Sequence, residues 1–393
     1  MRTTTLGLLS LVGLVACGNN NGTSNPKSSG ASDSAAAGSS GSGSSSSGSS
    51  SGSTSFVGGS PSGGSAPTAG ASGAMGGGSS GGTAVVGTDA GVTVAAGVLT
   101  AGMWDDGLNY DFFSSYVAGK ATLDGNPGFT QTELDAAHAE FATRSARSLV
   151  DVAIVIDTTG SMGDELSYLT SELGGIQTAL AAAYPAADQR WALVVYRDTP
   201  DTDPGDEYVV RSFDFTTDTK AFASTLAAQS ANFGGDYPES PQLGIEQLRQ
   251  LTWRTDPSTA KLAFWVADAP HHTNKAADIK QAIVDAHTAG IHLYPVSASG
   301  TDDLLELTMR SAALITGGRY LFLTDDSGVG DPHKVPEIPC FYVTKLEDAL
   351  FRAVSAELAG VYVEPAPSMI VRTSGAPTNG LCTTSDGTVV HIY

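Results

Sequence analysis

The most informative group of polar side chains follows an apolar run near the middle of the chain. Asp157 comes directly after residues 149–156, and the hydroxyl residues Thr159 and Ser161 follow it at every second position. This spacing aims one carboxylate and two hydroxyl oxygens from a single loop toward one point. Hard divalent cations such as Mg²⁺ bind oxygen ligands of this kind. Aspartate, serine and threonine are also favoured at helix N-termini, so this segment alone equally predicts a helix cap.

Two later segments place further carboxylates at similar points. Asp268 ends the apolar run 264–267, and Glu239 ends the loop Gly-Gly-Asp-Tyr-Pro-Glu at residues 234–239, which leads into a predicted helix. In open α/β sheets, ligands bind where the carboxyl ends of the strands meet. These two carboxylates extend the pattern, and the resemblance that the three segments carry together favours a metal site over a simple helix cap.

The three segments together resemble the metal-ion-dependent adhesion site of von Willebrand factor type A domains, and residues 149–360 are similar to such a domain. The versions in integrin β subunits and hemicentin-like proteins look closest, since they share the Asp-x-Ser/Thr-x-Ser-Met start, the Asp-x-Pro-Glu loop and the Asp-Ala strand end. The resemblance implies that one Mg²⁺, or Mn²⁺ or Ca²⁺ in its place, is held with one coordination position open for an acidic residue of a protein partner. The ligands that it implies are Asp157, Thr159, Ser161, Glu239 and Asp268.

Two neighbouring acids extend the resemblance. Asp164 and Glu165 stand where integrin β subunits hold an adjacent Ca²⁺, which implies a second ion site. Acids in the first turn of a helix are also stabilised by its macrodipole, and this alternative remains open. Asp236 offers a ligand for a third site, but Gly234 stands where the resemblance would require an asparagine, so no third site is predicted.

Other chemistries find less support. A zinc site would need His271, His272 and His292 to converge, and nothing in the sequence brings His292 to the other two. Ser161 lacks the glycine two residues before it that a nucleophile elbow requires. We therefore expect a binding protein and not an enzyme, with a scaffold that carries a purely structural metal as the alternative.

Strands and helices alternate along the part of the chain that carries these residues. The run 149–156 is apolar and rich in β-branched residues, which is typical of a strand buried on both faces. Further strands are predicted at 191–196, 208–213 (an antiparallel edge), 262–266, 291–296 and 320–323, and helices at 166–180, 218–230, 240–251, 274–289, 302–316 and 345–359. This alternation predicts an α/β fold with a doubly wound, mostly parallel sheet flanked by helices.

Segments on either side complete the folded part. Residues 98–148 are expected to form an N-terminal extension packed on the main domain through its aromatic side chains. They include a helix at 130–148 with a capping box from Thr130 to Glu133. Residues 361–393 are expected to form a short β appendage. Cys340 and Cys382 are suited to a disulfide in an exported protein, and two buried thiols are the alternative.

The N-terminus predicts export and attachment to a membrane. An apolar run too short to span a bilayer ends in Leu-Val-Ala-Cys, which resembles a bacterial lipoprotein processing box. The resemblance implies a signal peptide over residues 1–16 and lipidation of Cys17, and an ordinary signal peptide is the alternative. Residues 17–97, rich in serine and glycine, predict a disordered tether. We expect an extracytoplasmic protein held to the membrane by its lipid alone, on the outer membrane or surface of a diderm bacterium.

The overall charge limits the partners. The chain has 41 acidic and 20 basic residues among 393 and a formal net charge of −21. Binding to nucleic acid or to an anionic membrane surface requires clustered lysine and arginine, so neither is expected. A surplus of carboxylates suits a module that attracts cations.

Overall fold

The structure is a computed structural model that describes residues 86–87, 93–94, 97–141, 145–199 and 207–393. All of them belong to one unit of the chain, Gly77–Tyr393. The predicted signal peptide, Cys17 and nearly all of the predicted tether lie outside the described residues, and so does the side chain of Asp164. Within the described part, no helix is both long and apolar enough to cross a bilayer.

Thirteen strands and eight α-helices make up the described part. The strands are β1 (Val86–Gly87), β2 (Thr93–Val94), β3 (Thr100–Trp104), β4 (Leu149–Asp157), β5 (Asp188–Tyr196), β6 (Val210–Thr216), β7 (Thr259–Ala267), β8 (His292–Ser297), β9 (Tyr320–Leu323), β10 (Phe341–Lys345), β11 (Arg372–Ser374), β12 (Leu381–Thr383) and β13 (Val389–His391). The helices are α1 (Tyr110–Gly119), α2 (Gln131–Phe141), α3 (Gly163–Ala183), α4 (Thr219–Ala227), α5 (Pro241–Gln247), α6 (Ala276–Thr288), α7 (Asp303–Thr316) and α8 (Leu346–Ala359).

Nine of the strands form one sheet in the order β11-β10-β3-β9-β8-β7-β4-β5-β6. The five strands from β9 to β5 are parallel to one another, and the pairings at both margins are antiparallel. As predicted, β6 is an antiparallel edge strand. The predicted α/β fold with parallel strands at the centre of the sheet is therefore confirmed.

Both faces of the sheet are covered. Along β4, Val152, Ile154 and Ile156 pack in one core, and Ala153 and Val155 pack in the other, because successive side chains of a strand point to opposite faces. Helices α3, α4 and α8 contribute to the first core, and α1, α2, α5, α6 and α7 to the second. Helices on both faces explain why β4 reads as a continuous apolar run and confirm the doubly wound architecture.

The N-terminal extension contributes a strand to the main sheet in addition to packing on the main domain. Its strand β3 lies inside the sheet, antiparallel to both β9 and β10, and the sequence analysis did not predict this strand. Buried Glu172 on α3 fixes the start of the strand by accepting hydrogen bonds from three successive backbone N–H groups, those of Gly97, Val98 and Leu99, at 2.9, 2.8 and 3.1 Å. Trp104 then joins the core with aromatic residues of α1, so the expected shared aromatic interface is present.

The helix predicted at 130–148 is shorter in the structure. Helix α2 ends at Phe141, and residues 145–148 are not helical. The predicted capping box is present, since the Thr130 backbone N–H donates to Glu133 Oε2 at 2.6 Å and the Glu133 N–H donates to Thr130 Oγ1 at 3.3 Å. The prediction was correct for the start of this helix and too long at its end.

The C-terminal tail is attached to the sheet at two places. Strand β11 pairs with β10 and extends the sheet, and β12 and β13 form a separate two-stranded ribbon. The structure joins Cys340, which precedes β10, to Cys382 in β12 by a disulfide, with 6.3 Å between their Cα atoms. The tail is thus partly an appendage, as expected, and partly an edge of the main sheet.

Candidate metal centre

The first loop of the candidate site leaves the carboxyl end of β4. Asp157 is fully buried, and its Oδ1 accepts hydrogen bonds from the Thr159 backbone N–H at 2.9 Å and the Thr159 hydroxyl at 2.7 Å. The hydroxyl oxygens of Thr159 and Ser161 lie 3.4 Å apart. Three of the predicted oxygen ligands therefore face one another within one turn of chain.

Thr159 does not cap the helix that follows it. A short 3-10 helix begins after Thr159, and within the described residues the Thr159 side chain makes no capping hydrogen bond to it. The hydroxyl of Thr159 is directed back to Asp157 instead. The helix-cap alternative therefore finds no support at Thr159.

The second loop lies directly against the first. The Gly160 N–H donates to the Phe233 carbonyl at 2.7 Å. Gly234, at φ +85°, lies close to side chains of both loops. A Cβ at this position would lie 2.7 Å from Glu239 Oε1 and 2.8 Å from the Thr159 Cβ. A glycine at this position lets Glu239 approach the hydroxyls of the first loop.

The third loop follows β7, the neighbour of β4 in the sheet. Residue 156 of β4 is in register with residue 266 of β7, so Asp157 and Asp268 lie at adjacent strand ends. The Glu239 N–H donates to the Pro270 carbonyl at 2.8 Å, which joins the second loop to the third. All five predicted ligands are therefore carried by three loops that contact one another at one edge of the sheet.

The carboxylates interact electrostatically. Burial, and then repulsion from Asp268, raise the pKa of Asp157 to about 8. Burial likewise raises the pKa of Glu239 to about 10, with repulsion from Asp157, Asp198 and Asp268 adding to the shift. Both shifts reflect negative charge that is poorly compensated, and a bound cation would reverse them.

Two buried oxygens of this group are available for a ligand. Asp157 Oδ2 and Glu239 Oε2 have no hydrogen-bond partner among the described residues, although polar groups in protein interiors are nearly always paired. With the hydroxyls of Thr159 and Ser161, they provide the hard oxygen donors that Mg²⁺ binds, and Mg²⁺ retains several waters of its own. The residues present therefore fit a divalent cation.

A second group of ligands lies beside the first. Among the described residues, Asp198, Asp236 and His272 form the group whose ligand atoms all lie within 4.8 Å of one another. His272 Nε2 is 2.9 Å from Asp198 Oδ1, which also accepts a hydrogen bond from Ser240 at 2.8 Å. Asp198 and Asp236 both raise the pKa of Glu239, so the two groups adjoin at that residue.

This second group was not predicted from the sequence. Asp236 was not expected to bind an ion because of Gly234, and Asp198 was not among the candidate ligands. A signal was present, because Asp198 follows the end of β5 at residue 196 much as Asp268 follows the end of β7. The contribution of His272 has no such signal, because a loop places it.

Glu165, predicted for an adjacent ion, has a different environment. It is fully buried, and its Oε1 accepts hydrogen bonds from the backbone N–H of Ser299, at 3.1 Å, and from the Ser299 hydroxyl. Gly330 approaches the same oxygen closely. The structure therefore places Glu165 against the loop after β8, and Asp164, its predicted partner, has no described side chain.

The three histidines considered for zinc do not converge. His271 Nε2 lies 2.8 Å from the Gly125 carbonyl, and His272 contacts Asp198. His292 Nδ1 lies 2.8 Å from Glu357 Oε1 on α8. Each of the three histidines thus has a different polar partner.

Aromatic side chains border the candidate site. Phe233 and Tyr237, both in the second loop, are 45% and 47% exposed, high values for large apolar side chains. Phe233 has a positive φ of 65°, and the Tyr237 hydroxyl donates to the Gly300 carbonyl at 2.7 Å. The rim thus offers two fixed aromatic surfaces beside buried carboxylates.

Comparisons with known proteins find only partial relatives. No family model matches the chain. The alpha-protein kinase vwkA of Dictyostelium discoideum is 25% identical over 165 residues, which are 42% of this chain and 24% of that protein. The putative ariadne-like RING finger protein R811 of Acanthamoeba polyphaga mimivirus is 29% identical over 133 residues, 34% of this chain and 12% of that protein. The chain thus spans a minor part of the curated relatives that it matches.

Solved structures give distant likenesses. The conserved hypothetical protein BatB of Bacteroides thetaiotaomicron is 14% identical, with 53% of this chain and 98% of that chain covered and a TM-score of 0.37. The SpRpn10 VWA domain is 12% identical, with coverages of 42% and 82% and a TM-score of 0.32. The pilus adhesin SpaC of Lactobacillus rhamnosus GG is 13% identical, with coverages of 44% and 28% and a TM-score of 0.33. TM-scores at this level establish neither a shared fold nor a shared function.

Proposed function

We propose that residues 149–360 form a protein-binding module in which Asp157, Thr159, Ser161, Glu239 and Asp268 hold a divalent cation, Mg²⁺ or alternatively Mn²⁺ or Ca²⁺. The observation that carries the proposal is the meeting of three loops at the carboxyl end of the sheet, with two buried carboxylate oxygens that have no hydrogen-bond partner in the described part of the chain. A bound cation supplies a coordination position for an oxygen donor from another molecule.

The proposed ligand residues contribute to cation binding in different ways. The carboxylates of Asp157 and Glu239 supply negative charge, and the hydroxyls of Thr159 and Ser161 supply neutral oxygens. Because several carboxylates already compensate a divalent charge, only a strong oxygen donor would compete with water for the remaining position. We therefore propose that the partner contributes an aspartate or glutamate side chain, next to a surface that packs on Phe233 and Tyr237.

The experiment compares binding in three states. Acidic peptides, or a pull-down from the native envelope, are offered to the chain with Mg²⁺, to the chain with chelator, and to Asp157→Ala with Mg²⁺. Asp111→Ala, which removes an exposed acid of α1, is the matched control. We expect binding only by the wild-type chain and the control with Mg²⁺. Equal binding in all states would refute the proposal.

A scaffold with a structural metal is the alternative function. It predicts that Mg²⁺ raises the melting temperature while no binding depends on the metal. A melting curve recorded beside the binding assay distinguishes the two functions, because the module requires both effects. We propose binding and not catalysis, since the sequence offers no organised base or nucleophile beside the site. Turnover of a substrate that vanished in Asp268→Asn would overturn this.

We also propose that Cys17 carries the lipid that holds the module outside the cytoplasm, with the serine- and glycine-rich residues 17–97 as its tether. The support is the processing box at the end of the short apolar run. Cells fed a labelled fatty acid should incorporate label into the wild-type chain and none into Cys17→Ser. Equal labelling of both would contradict the lipid anchor.

A further inference from the structure

A groove lies at the outer side of α8, where the C-terminal tail leaves the main domain. It has a volume of about 320 Å³, and its walls come from α8, from Tyr184 after α3, and from residues 361–369. This volume falls at the lower end of the range for small-molecule sites, about 300–1,000 Å³. The groove therefore suits a small molecule better than a protein surface.

One arginine in this groove is unusual. Arg352 is only 7% exposed, yet its Nε and Nη2 atoms have no hydrogen-bond partner among the described residues. The ring of Tyr362 lies 5.2 Å from its guanidinium carbon. Burial lowers the pKa of Arg352 to about 10, so the side chain is charged at neutral pH. A buried guanidinium without a hydrogen-bonded anion is costly, unless a ligand supplies the anion.

The acids near Arg352 do not take this role. Asp348 stands one turn earlier on α8, and Glu364 lies in the groove wall; both attract the charge of Arg352. Neither accepts a hydrogen bond or forms an ion pair with it in the part of the chain that the structure describes. The guanidinium is thus partly compensated in charge but not in hydrogen bonding.

The remaining surface of the groove shows what else the ligand must offer. Ser355 and Ala356 lie three and four residues after Arg352, and Ala359 lies four and three residues after them, so the four side chains share one face of α8. Ser355 Oγ, one turn from Arg352, is also buried and has no hydrogen-bond partner among the described residues. Most other wall residues are apolar, and Val363 at the mouth is 67% exposed. A cationic and a hydroxyl group in a wall that is otherwise apolar, apart from Glu364, match a molecule with a single anionic group and a hydrocarbon chain.

We propose that this groove binds a fatty-acid-like monocarboxylate. Arg352 and Ser355 receive the carboxylate, because a guanidinium fork and a hydroxyl together match its two oxygens. Ala356 and Ala359 of α8 and the valines of the tail cover the hydrocarbon chain. The net charge of the protein is −21, so the local arginine and the apolar wall must hold such an anion against a general repulsion.

The groove is separate from the candidate metal centre. The Arg147 N–H, just before β4, donates to the Leu358 carbonyl near the end of α8, so the groove lies where β4 begins. Asp157 is the last residue of β4, eight residues after Leu149. At about 3.3 Å per residue the two ends of β4 are roughly 26 Å apart, so the groove and the candidate metal centre lie toward opposite ends of this strand. The two sites share no residue, so each is tested by its own variants.

Calorimetric titration of the full chain carrying Cys17→Ser, in buffer without detergent, tests the proposal. Octanoate is the probe, and octanol and acetate lack its charge and its chain respectively. We expect octanoate to bind at least about tenfold more tightly than either analogue. Equal affinities for octanoate and octanol, or no octanoate binding, would overturn the proposal.

Four variants assign the binding to the groove. Arg352→Met should weaken octanoate binding at least about tenfold, leave octanol unchanged, and melt no lower than the wild type without ligand, because it removes an unpaired buried charge. Ala359→Leu keeps the arginine and fills the groove, so it should weaken both ligands. Arg249→Gln, an exposed arginine, and Asp157→Ala should change neither affinity. Full octanoate affinity in both Arg352→Met and Ala359→Leu would place the binding elsewhere and refute the site.

Discussion

Gly234 offers the sharpest test of how the candidate metal centre is built. Substitution by alanine places a Cβ in the left-handed region at φ +85°, where an L-residue loses about 1–2 kcal/mol. The same Cβ would lie 2.7 Å from Glu239 Oε1 and 2.8 Å from the Thr159 Cβ, so two ligand side chains must move. Overpacking of this kind costs about 1–3 kcal/mol more. We expect Gly234→Ala to lose about 2–5 kcal/mol of stability in total.

A matched control separates the two causes. Gly290 has φ +68°, and no described atom lies within 4 Å of where its Cβ would be. Gly290→Ala should therefore lose stability through backbone strain alone. Urea unfolding measures the stability of both variants, and calorimetric titration with Mg²⁺ measures their affinity. We expect Gly290→Ala to bind Mg²⁺ as the wild type does. Gly234→Ala should bind Mg²⁺ at least about tenfold more weakly, because a displacement of the ligand oxygens by a few tenths of an ångström disturbs near-octahedral coordination. Equal Mg²⁺ affinity in the two variants would refute the claim that Gly234 positions Glu239 as a ligand.

Three further predictions concern the stability of the fold, each measured by urea unfolding. Arg310→Met removes a fully buried guanidinium that pairs with Asp106 at 2.7 Å and with Glu306 at 3.3 Å, and it should cost about 3–5 kcal/mol. Asp106→Leu should restore part of this loss in the double variant, and additive losses would contradict the pairing. Cys382→Ser removes a disulfide that spans 42 residues and should lower the free energy of unfolding by up to about 4 kcal/mol. An unchanged midpoint of urea unfolding would contradict this and show that the tail does not unfold with the sheet. A hydrogen bond from Lys280 lowers the pKa of Glu133 to about 2, so this carboxylate stabilises the fold above its unfolded pKa and loses the effect as the pH falls toward 2. Glu133→Gln should therefore cost less than about 1 kcal/mol at pH 7 and nothing at pH 2, and an equal loss at both would rule out the ion pair.

The parallel centre of the sheet could be predicted from the sequence because its strands are buried on both faces. Every residue of β4 from 150 to 157 is buried, so the apolar run marks the strand without ambiguity. The margin formed by β3, β10 and β11 could not be predicted. Each of these strands has three to five residues, and their partners lie far away in sequence, such as Val343 opposite Gly102. Pairing across such separations depends on the tertiary fold, and local periodicity does not encode it.

Some residues of the candidate site could likewise be predicted from the sequence, and others could not. Asp157 ends one buried strand and Asp268 directly follows its neighbour, so the topology of the sheet places them together, and the sequence was enough to select them. Glu239 could be selected only through a resemblance, because a loop bond to Pro270 fixes its position. His272 was not selected as a ligand at all. Its contact with Asp198 depends on how two loops fold over the sheet edge, and no spacing rule predicts that contact.

Calorimetric titration of the full chain with Mg²⁺ tests the central claim most directly. The account predicts saturable binding, lost in Asp157→Ala, weakened in Glu239→Gln and retained in Asp111→Ala, together with a higher melting temperature for the variants that still bind. Stabilisation follows because ligation of the folded state alone shifts the unfolding equilibrium. Mg²⁺ binding of undiminished affinity in Asp157→Ala, or no binding by the wild type, would contradict it.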